Sequence, residues 1–235
     1  MAHESEASLQ VSLSRKLVAE ALGTALLLAV VVGSGIMGDQ LAPQSTALAL
    51  LANTLATGAG LVALILTFGP VSGAHFNPVV SLGDAITGSM PWSHLPGYVV
   101  AQVAGAFAGV VAAHGMFGKP LFEASQHVRS GASQGLSEFI ATFGLLAIIW
   151  GCSRRRPTAT PFAVGAYITS AYWFTSSTSF ANPAVTLARS MTNTFAGIRP
   201  ADVPVFVITQ ILGALAATFL FRWLVPPHDP GGTKA

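Results

Sequence analysis

The side chains in this sequence that could do chemistry are a few carboxylates and histidines set among apolar residues. Glu20 and Glu138 each lie near the start of a long apolar run, and His75 and Asp84 flank an Asn-Pro pair. A carboxylate inside an apolar segment could act as a proton relay. A histidine with a nearby aspartate could serve acid-base chemistry or bind a metal, but further ligands at a suitable spacing are missing, so we expect no metal site. We expect Glu20 and Glu138 to be structural buried acids that accept backbone N–H groups of neighbouring irregular segments.

The composition indicates the solvent that surrounds these residues. Of the 235 residues, 52% are hydrophobic and only 9% are charged, whereas about 25% are charged in a typical soluble domain. Apolar runs of about 20 residues can cross a bilayer as helices. Six such runs occur, the fifth being short: 17–37, 46–68, 95–117, 135–152, 159–174 and 203–224. We therefore predict an all-α membrane protein with one transmembrane domain over residues 1–235.

Basic residues near the ends of these runs predict the orientation. One side collects Arg15, Lys16, Arg154, Arg155, Arg156, Arg222 and Lys234, and the other holds mainly Lys119, Arg129 and Arg199. Cytoplasmic loops are enriched in lysine and arginine, so we expect both termini to be cytoplasmic. The short termini without a targeting sequence favour a bacterial plasma (inner) membrane. The net charge of +2 gives no support for a nucleic-acid partner.

The chain repeats the order Glu, Asn-Pro, Gln. "AEALGTALLL" from Ala19 matches "SEFIATFGLL" from Ser137, and "AQVAGAFAG" from Ala101 matches "TQILGALAA" from Thr209. The small residues after each Gln predict close helix contacts. Three spans in each half is an odd number, so the second copy must enter the membrane from the opposite face. This predicts an inverted repeat, residues 17–128 and 129–224, with a pathway where the two copies meet.

The Asn-Pro pairs at Asn77 and Asn182 mark helix starts inside apolar regions. Asn is a strong N-cap, and Pro at the first helical position loses no hydrogen bond. "FNPVVSLGDAI" and "ANPAVTLARSM" are about ten residues each, enough for half a bilayer. We predict two re-entrant half-helices. The irregular segments before them, "GPVSGAH" and "FTSSTSF", should expose carbonyl groups to a pore.

Half-helices that enter from opposite faces would bring their N-termini together. Each N-terminus carries about half a positive charge, so a cation at the centre is repelled. The side-chain NH2 groups of Asn77 and Asn182 should be free to donate to a passing oxygen, because their carbonyl oxygens are used in capping. The pattern therefore predicts passage of neutral molecules without protons. It implies no cofactor, catalysis or energy coupling.

With both Asn-Pro pairs, both Glu and both Gln in place, the sequence from residue 17 to residue 224 resembles the major intrinsic protein family, the aquaporins and aquaglyceroporins. The resemblance implies six transmembrane helices plus two half-helices, a pore in each monomer and a homotetramer in the lipid bilayer. The pore-lining Asn-Pro-Ala motifs of the family fall on Asn77, Pro78, Val79 and Asn182, Pro183, Ala184. Val79 stands where the first motif has alanine.

The resemblance also implies the positions of a selectivity filter. These are Thr57, Ser179 and Val185, with Tyr172 or, counted without a gap, Ser170 as the fourth. Most of the family has arginine at the position of Val185, and its loss should widen the constriction and favour larger uncharged solutes. Candidates are glycerol-like polyols, urea, neutral metalloid hydroxides such as arsenous acid, small organo-arsenicals and water. An unusual, arsenic-associated branch of the family has similar features.

Arg189 lies one helical turn beyond Val185 on the same face. It could restore positive charge at the outer mouth of the pore. As a cation at a helix C-terminus, it could instead meet lipid headgroups or loop carbonyls. We expect His94, His114 and His127 to lie at the surface.

Three other classes of function remain open at this point. Loss of the filter arginine would suit a channel for small anions. Inverted repeats with broken helices also build secondary transporters, although no central acidic residue supports one. A membrane enzyme would need Glu20, His75 and Glu138 to converge in one cavity.

Overall fold

A computed structural model describes residues 11–225 and shows eight α-helices and no strand in that range. The helices are α1 (Leu13–Leu41), α2 (Thr46–Ser72), α3 (Pro78–Thr87), α4 (Leu95–Met116), α5 (Ala132–Arg155), α6 (Thr160–Phe174), α7 (Pro183–Arg189) and α8 (Val203–Leu224). Short 3-10 turns precede α4, α6 and α8. The predicted all-α fold is confirmed. Lys234, used above for the orientation, lies outside the described residues.

Six of the helices correspond to the six apolar runs. Five of them, α1, α2, α4, α5 and α8, are long and apolar enough to cross a membrane. The sixth, α6, has only 15 residues, about 22 Å of helix at 1.5 Å per residue. The short fifth run of the sequence is therefore a short helix.

The two half-helices begin at the predicted residues. Asn77 caps α3, and its Oδ1 accepts the N–H of Val79 at 3.1 Å. Asn182 caps α7, and its Oδ1 accepts the N–H groups of Ala184 and Val185 at 3.0 and 3.2 Å. Both caps leave a proline at the first helical position, as the sequence predicted.

One half-helix is shorter than predicted. α3 has ten residues but α7 has seven. The carbonyl groups that would continue α7 accept other hydrogen bonds: Ser190 from the N–H of Ser125 and Met191 from the N–H of Glu123. The carbonyl group of Arg189 accepts the N–H of Ile198. The loop after α4 therefore ends α7 through contacts that the local sequence does not encode.

The first irregular segment is also shorter than predicted. "GPVSGAH" was expected to be irregular throughout, but α2 continues through Pro70 to Ser72. Pro70 removes one N–H donor, and the helix ends only at Gly73, which has a φ of 90°. Residues 73–76 and 175–181 are thus the irregular segments that lead into α3 and α7.

Glycines let the long helices approach closely. A Cβ atom on Gly105 of α4 would lie 2.2 Å from the carbonyl oxygen of Ala21 in α1, and one on Gly109 would lie 2.2 Å from that of Ala25. A Cβ atom on Gly213 of α8 would lie 2.4 Å from the carbonyl oxygen of Phe139 in α5. The small residues after each Gln therefore do make the close helix contacts that the sequence predicted.

Two apolar cores hold the half-helices, and each core mixes the two halves of the chain. Ala184, Val185 and Ala188 of α7 pack in a cluster with Leu28 of α1 and Val110 of α4. α7 belongs to the second half of the sequence, whereas α1 and α4 belong to the first. This core therefore forms only when both halves are present.

In the second core, the half-helix comes from the first half of the chain and the long helices come from the second half. Val79 and Val80 of α3 pack with Leu146 of α5 and Ala217 of α8. α3 belongs to the first half and its partners to the second. Each half-helix thus fills a gap among the long helices of the other half.

Candidate functional site

The two Asn side chains meet at the point where the half-helices begin. Asn77 Nδ2 donates to the carbonyl oxygen of Ala181 at 2.8 Å, and Asn182 Nδ2 donates to that of Phe76 at 2.7 Å. A primary amide has two N–H donors, so one remains on each side chain. The expectation of free NH2 groups therefore needs correction, because half of their donors cross-link the two irregular segments.

Glu20 organises the first irregular segment. Its carboxylate accepts the N–H of His75 at 3.0 Å, the N–H of Phe76 at 2.7 Å and the hydroxyl of Ser72 at 2.6 Å. It also accepts Gln102 Nε2 at 2.8 Å. Glu20 is fully buried, and its oxygens are occupied by these donors.

Glu138 has the same arrangement in the second half. It accepts the N–H groups of Phe180 and Ala181 at 2.9 and 2.8 Å and Gln210 Nε2 at 2.6 Å. Gln210 also donates to Thr186 at 2.9 Å. These contacts agree with a structural role for both acids and leave neither one exposed to a substrate.

Residues with positive φ lie in both irregular segments. Among the non-glycine residues these are Ala74, Phe76, Thr178, Ser179 and Ala181. Such conformations cost free energy in L-residues and persist where the surroundings hold them. The hydrogen bonds to Glu20 and Glu138 supply that restraint at Phe76 and Ala181.

A cavity of about 120 Å³ lies between the two halves. This space holds several waters or one small solute. Its lining includes Leu27, Thr57, Gly73, Ala74, His75, Phe76, Asn77, Val164, Tyr172, Ser179, Phe180, Ala181, Asn182, Val185 and Arg189. The irregular segments, both Asn side chains and the expected filter positions therefore share one cavity.

Four residues expected to line the pore do not contact this cavity. Pro78, Val79, Pro183 and Ala184 are absent from its lining. Val79 and Ala184 pack in the two apolar cores instead. The reason is that these residues of the first turn of each half-helix pack against the opposite half of the chain, whereas the capping Asn, Val80 and Val185 line the cavity.

One end of the cavity gathers the expected filter residues. Tyr172 donates its hydroxyl to Thr57 Oγ1 at 3.3 Å. Ser179 Oγ is buried without a hydrogen-bond partner in the described part of the chain. Ser170, the alternative to Tyr172, is exposed and donates to the carbonyl oxygen of Tyr167. The structure thus brings Tyr172 to this end of the cavity, and Ser170 lies outside it.

Arg189 lies in the same cavity beside Val185. Its side chain is only 2% exposed, and its guanidinium carbon lies 3.4 Å from the centroid of the Phe180 ring. Nε donates to the carbonyl oxygen of Ala196. The prediction of a contact with lipid headgroups is therefore wrong, because the loop that follows α7 encloses the side chain. Contacts with a loop carbonyl and with the cavity both occur.

Arg129 is a second buried cation that sequence reasoning used only for orientation. It donates to the carbonyl oxygens of Gly197 and Ser177 at 2.8 and 3.0 Å. Its guanidinium carbon lies 4.9 Å from the Phe180 ring centroid. Burial lowers the pKa of Arg129 to about 10, so the side chain is still charged at neutral pH. No local pattern in the sequence distinguishes this arginine from a surface one.

His75 lines the cavity on the other side of the Asn pair. Its Nε2 lies 3.0 Å from Asp84 Oδ2, and its Nδ1 lies 2.9 Å from Ser81 Oγ. Within residues 11–225 no group of three or more His, Cys, Asp or Glu side chains could hold a metal. Neither Glu20 nor Glu138 lines the cavity, so the convergence that an enzyme would need does not occur.

His114 was expected at the surface but is buried. Its two ring nitrogens contact the carbonyl oxygen of Pro120 and the hydroxyl of Thr192. The loop after α4 folds back over the end of that helix and covers the side chain. His127 is exposed, and His94 is partly exposed.

The arrangement of six helices and two half-helices matches a solved structure. The fold matches the X-ray structure of the aquaglyceroporin from Plasmodium falciparum with a TM-score of 0.71, covering 92% of this chain and 98% of that one at 21% identity. The profile of the major intrinsic protein family matches residues 7–171. The chain belongs to the major intrinsic protein family. The resemblance seen in the sequence is therefore confirmed.

Relatives within the major intrinsic protein family narrow the type of channel. The chain is 58% identical to aquaglyceroporin AqpS of Rhizobium meliloti (strain 1021) over 218 residues, 93% of each protein. It is 38% identical to a probable glycerol uptake facilitator protein of Thermotoga maritima over 96 residues, 40% of each. The protein is an aquaglyceroporin-type membrane channel for small solutes and not an enzyme.

Proposed function

We propose that this channel conducts small uncharged solutes passively through a widened filter formed by Thr57, Tyr172, Ser179 and Val185. The observation that carries the proposal is Val185, an isopropyl side chain that lines the cavity at the position where the resemblance to the family implies an arginine. An apolar residue there leaves the cavity wider and with fewer fixed donors, which favours solutes larger than water. The Asn pair, with one spare N–H donor on each side chain, guides their oxygen atoms past the centre.

The proposed solutes are glycerol-like polyols, urea, neutral metalloid hydroxides such as arsenous acid and small organo-arsenicals, together with water. A glycerol solute is supported by the relatives whose names include aquaglyceroporin and glycerol uptake facilitator. The metalloids are proposed on the width of the filter alone, since its four expected positions carry no charged side chain. No bound cofactor takes part.

The proposal also covers the setting of the channel. We infer a homotetramer in a bacterial plasma membrane with both termini cytoplasmic. The basic cluster at the end of α5 and the basic start of α1 support this orientation. Large apolar side chains exposed on the long helices, such as Leu22, Val100 and Ile208, would meet lipid or neighbouring copies.

A flux measurement with filter variants tests the proposal. Purified protein in liposomes is exposed to gradients of glycerol, urea, arsenous acid and an impermeant osmolyte, and volume changes are followed by light scattering. We expect Val185→Arg to lower glycerol and urea flux about tenfold relative to water, because one hydrogen-bonding cation replaces open space.

Val185→Leu is the matched control, since it adds bulk without charge. A similar loss in both variants would assign the effect to width alone. Unaltered glycerol flux in Val185→Arg would contradict the proposed filter. A solute-dependent current in planar bilayers, together with weak glycerol flux, would support the small-anion channel instead.

A further inference from the structure

Arg189 is a buried cation without an anion. The ion pairs among the described residues are His75 with Asp84 and Arg199 with Asp202, so Arg189 pairs with no carboxylate there. Nε uses the carbonyl oxygen of Ala196, and no partner within residues 11–225 accepts from the two terminal nitrogens. Leaving a buried charge unpaired is costly. The guanidinium group lines the cavity, so these nitrogens are available to a molecule inside it.

The neighbourhood of Arg189 is electropositive. Arg129 lies against the same phenylalanine ring, at 4.9 Å from its centroid. Partial desolvation by the surrounding loops, followed by the charges of Arg129 and Arg189, lowers the pKa of His127, although its side chain remains exposed. The carboxylate of Asp202 is already engaged by Arg199 and by the backbone N–H of Arg129. Glu138 acts on both arginines through space, but its oxygens are occupied by Phe180, Ala181 and Gln210. An anion that enters this end of the cavity would therefore meet two guanidinium groups that no carboxylate contacts.

A second polar group at this end of the cavity also has no partner. Ser179 is only 3% exposed, and its hydroxyl oxygen is buried without a hydrogen bond in the described range. It lines the same cavity as Arg189. A buried hydroxyl without a partner costs free energy, and a ligand oxygen would relieve that cost. Val185 and Phe180 supply apolar walls beside these two groups.

We propose that Arg189 and Ser179 form a binding site for the carboxylate of a small monocarboxylate such as formate or acetate. The planar guanidinium group matches the geometry of a carboxylate and can donate two parallel hydrogen bonds. Ser179 donates its hydroxyl to one of the same oxygens. The apolar walls fit a hydrogen or methyl substituent and have no donor for a second charged group. The bound anion would occupy the filter end of the cavity and compete with neutral solutes.

Direct binding tests the site without relying on channel function. Titration calorimetry on the purified protein in detergent, at constant ionic strength, uses formate as the probe and formamide as its uncharged analogue. We expect formate to bind and formamide to bind at least about tenfold more weakly, because charge-assisted hydrogen bonds are roughly twice as strong as neutral ones. Equal affinity for the two probes, or no formate binding, overturns the proposal.

Two variants test whether formate binds at Arg189. We expect Arg189→Gln to weaken formate binding about tenfold or more, since it removes charge-assisted hydrogen bonds to the carboxylate. Arg199→Gln is the matched control: it removes a positive charge that is 40% exposed and paired with Asp202, and it should bind formate like the wild type. Equal weakening in both variants would mean a general surface-charge effect and would overturn the site.

Folding is checked separately. If Arg189→Gln is not recovered as folded protein, Ser179→Ala decides: unchanged formate affinity in that variant overturns the site, and a several-fold loss supports it.

A flux experiment extends the test and rests on the proposed function. Formate should lower glycerol flux in the wild type and in Arg199→Gln but not in Arg189→Gln. Formate binding without glycerol flux in the wild type would remove the proposed function and keep the site. Glycerol flux that formate leaves unaltered in the wild type would overturn the competition for the cavity.

Discussion

At the residue scale, the buried carboxylates and arginines of the described residues each have hydrogen-bond partners, and Arg189 also lines the cavity. Glu20 and Glu138 are fully buried, yet each accepts the two successive N–H groups that lead into a capping Asn. Their role is to fix backbone that has no helix or sheet to satisfy it. Arg189 differs, because it lines the cavity and its terminal nitrogens have no acceptor within residues 11–225.

A variant of Glu20 tests that role. In Glu20→Gln the side chain keeps its shape, but its amide nitrogen cannot accept from the donors at the oxygen it replaces, either Ser72 and the N–H of His75 or the N–H of Phe76 and Gln102. We expect a loss of stability on the order of 3 kcal/mol, since donors to a buried acceptor lose their partner. A lower apparent Tm in detergent and reduced solute flux would be the measured results.

Glu123→Gln is the control for this variant. Glu123 is exposed and accepts only Asn193 Nδ2 from a side chain, so its Tm should match the wild type. If Glu20→Gln also keeps the wild-type Tm and flux, the carboxylate does not hold the irregular segment.

At the element scale, the half-helices connect the two halves of the chain. α7 packs in the core built on α1 and α4, and α3 packs in the core that contains α5 and α8. The long helices come close enough to hold them because glycines remove side chains at the contacts. Neither half can complete its core without the half-helix of the other.

Alanine substitutions at two glycines of α4, one packed and one open, distinguish the effect of helix contacts on stability from the effect of helix propensity. Alanine is the better helix former at both Gly105 and Gly115 by about 1 kcal/mol. A Cβ at Gly105 would meet the carbonyl oxygen of Ala21 at 2.2 Å, whereas one at Gly115 would meet nothing within 4 Å. We expect Gly105→Ala to destabilise the protein by about 1–3 kcal/mol through overpacking, and Gly115→Ala to be neutral or slightly stabilising.

Thermal unfolding in detergent, followed by circular dichroism, compares the two variants with the wild type. Equal Tm values for Gly105→Ala and Gly115→Ala would show that α4 can move away from α1 without cost.

At the scale of the whole molecule, connectivity places the ends of the helices in two layers. Arg154 at the end of α5 donates to the carbonyl oxygens of Phe221 and Val225 at the end of α8. The loop after α4 lies in the opposite layer, against the end of α7. By the positive-inside rule, we propose that the first layer faces the cytoplasm.

Surface labelling tests this assignment in intact bacterial cells. Lys119 and Arg155 are both exposed, in opposite layers, and Cys152 is the only cysteine of the sequence. In a Cys152→Ser background, Lys119→Cys should react with a membrane-impermeant maleimide, and Arg155→Cys should react only after the cells are broken open. The reverse pattern would invert the proposed orientation.

The sequence alone determined the elements and their family. Apolar run length fixes the number of long helices, since lipid offers the backbone no hydrogen bonds. Asn-Pro fixes where α3 and α7 begin, because a cap and a proline act within one turn. The repeated Glu and Gln indicated which polar side chains belong together.

The tertiary structure decided what depends on contacts between distant segments. The end of α7, the burial of His114 and the enclosure of Arg189 all follow from the loops after α4 and α7, which the local sequence leaves undefined. The tertiary structure also places Val79 and Ala184 in the apolar cores. One side-chain N–H of each capping Asn donates to a carbonyl oxygen of the opposite half of the chain. Caps and apolar runs act over a few residues and can be predicted from them. The faces that meet across the molecule are decided only when both halves pack together.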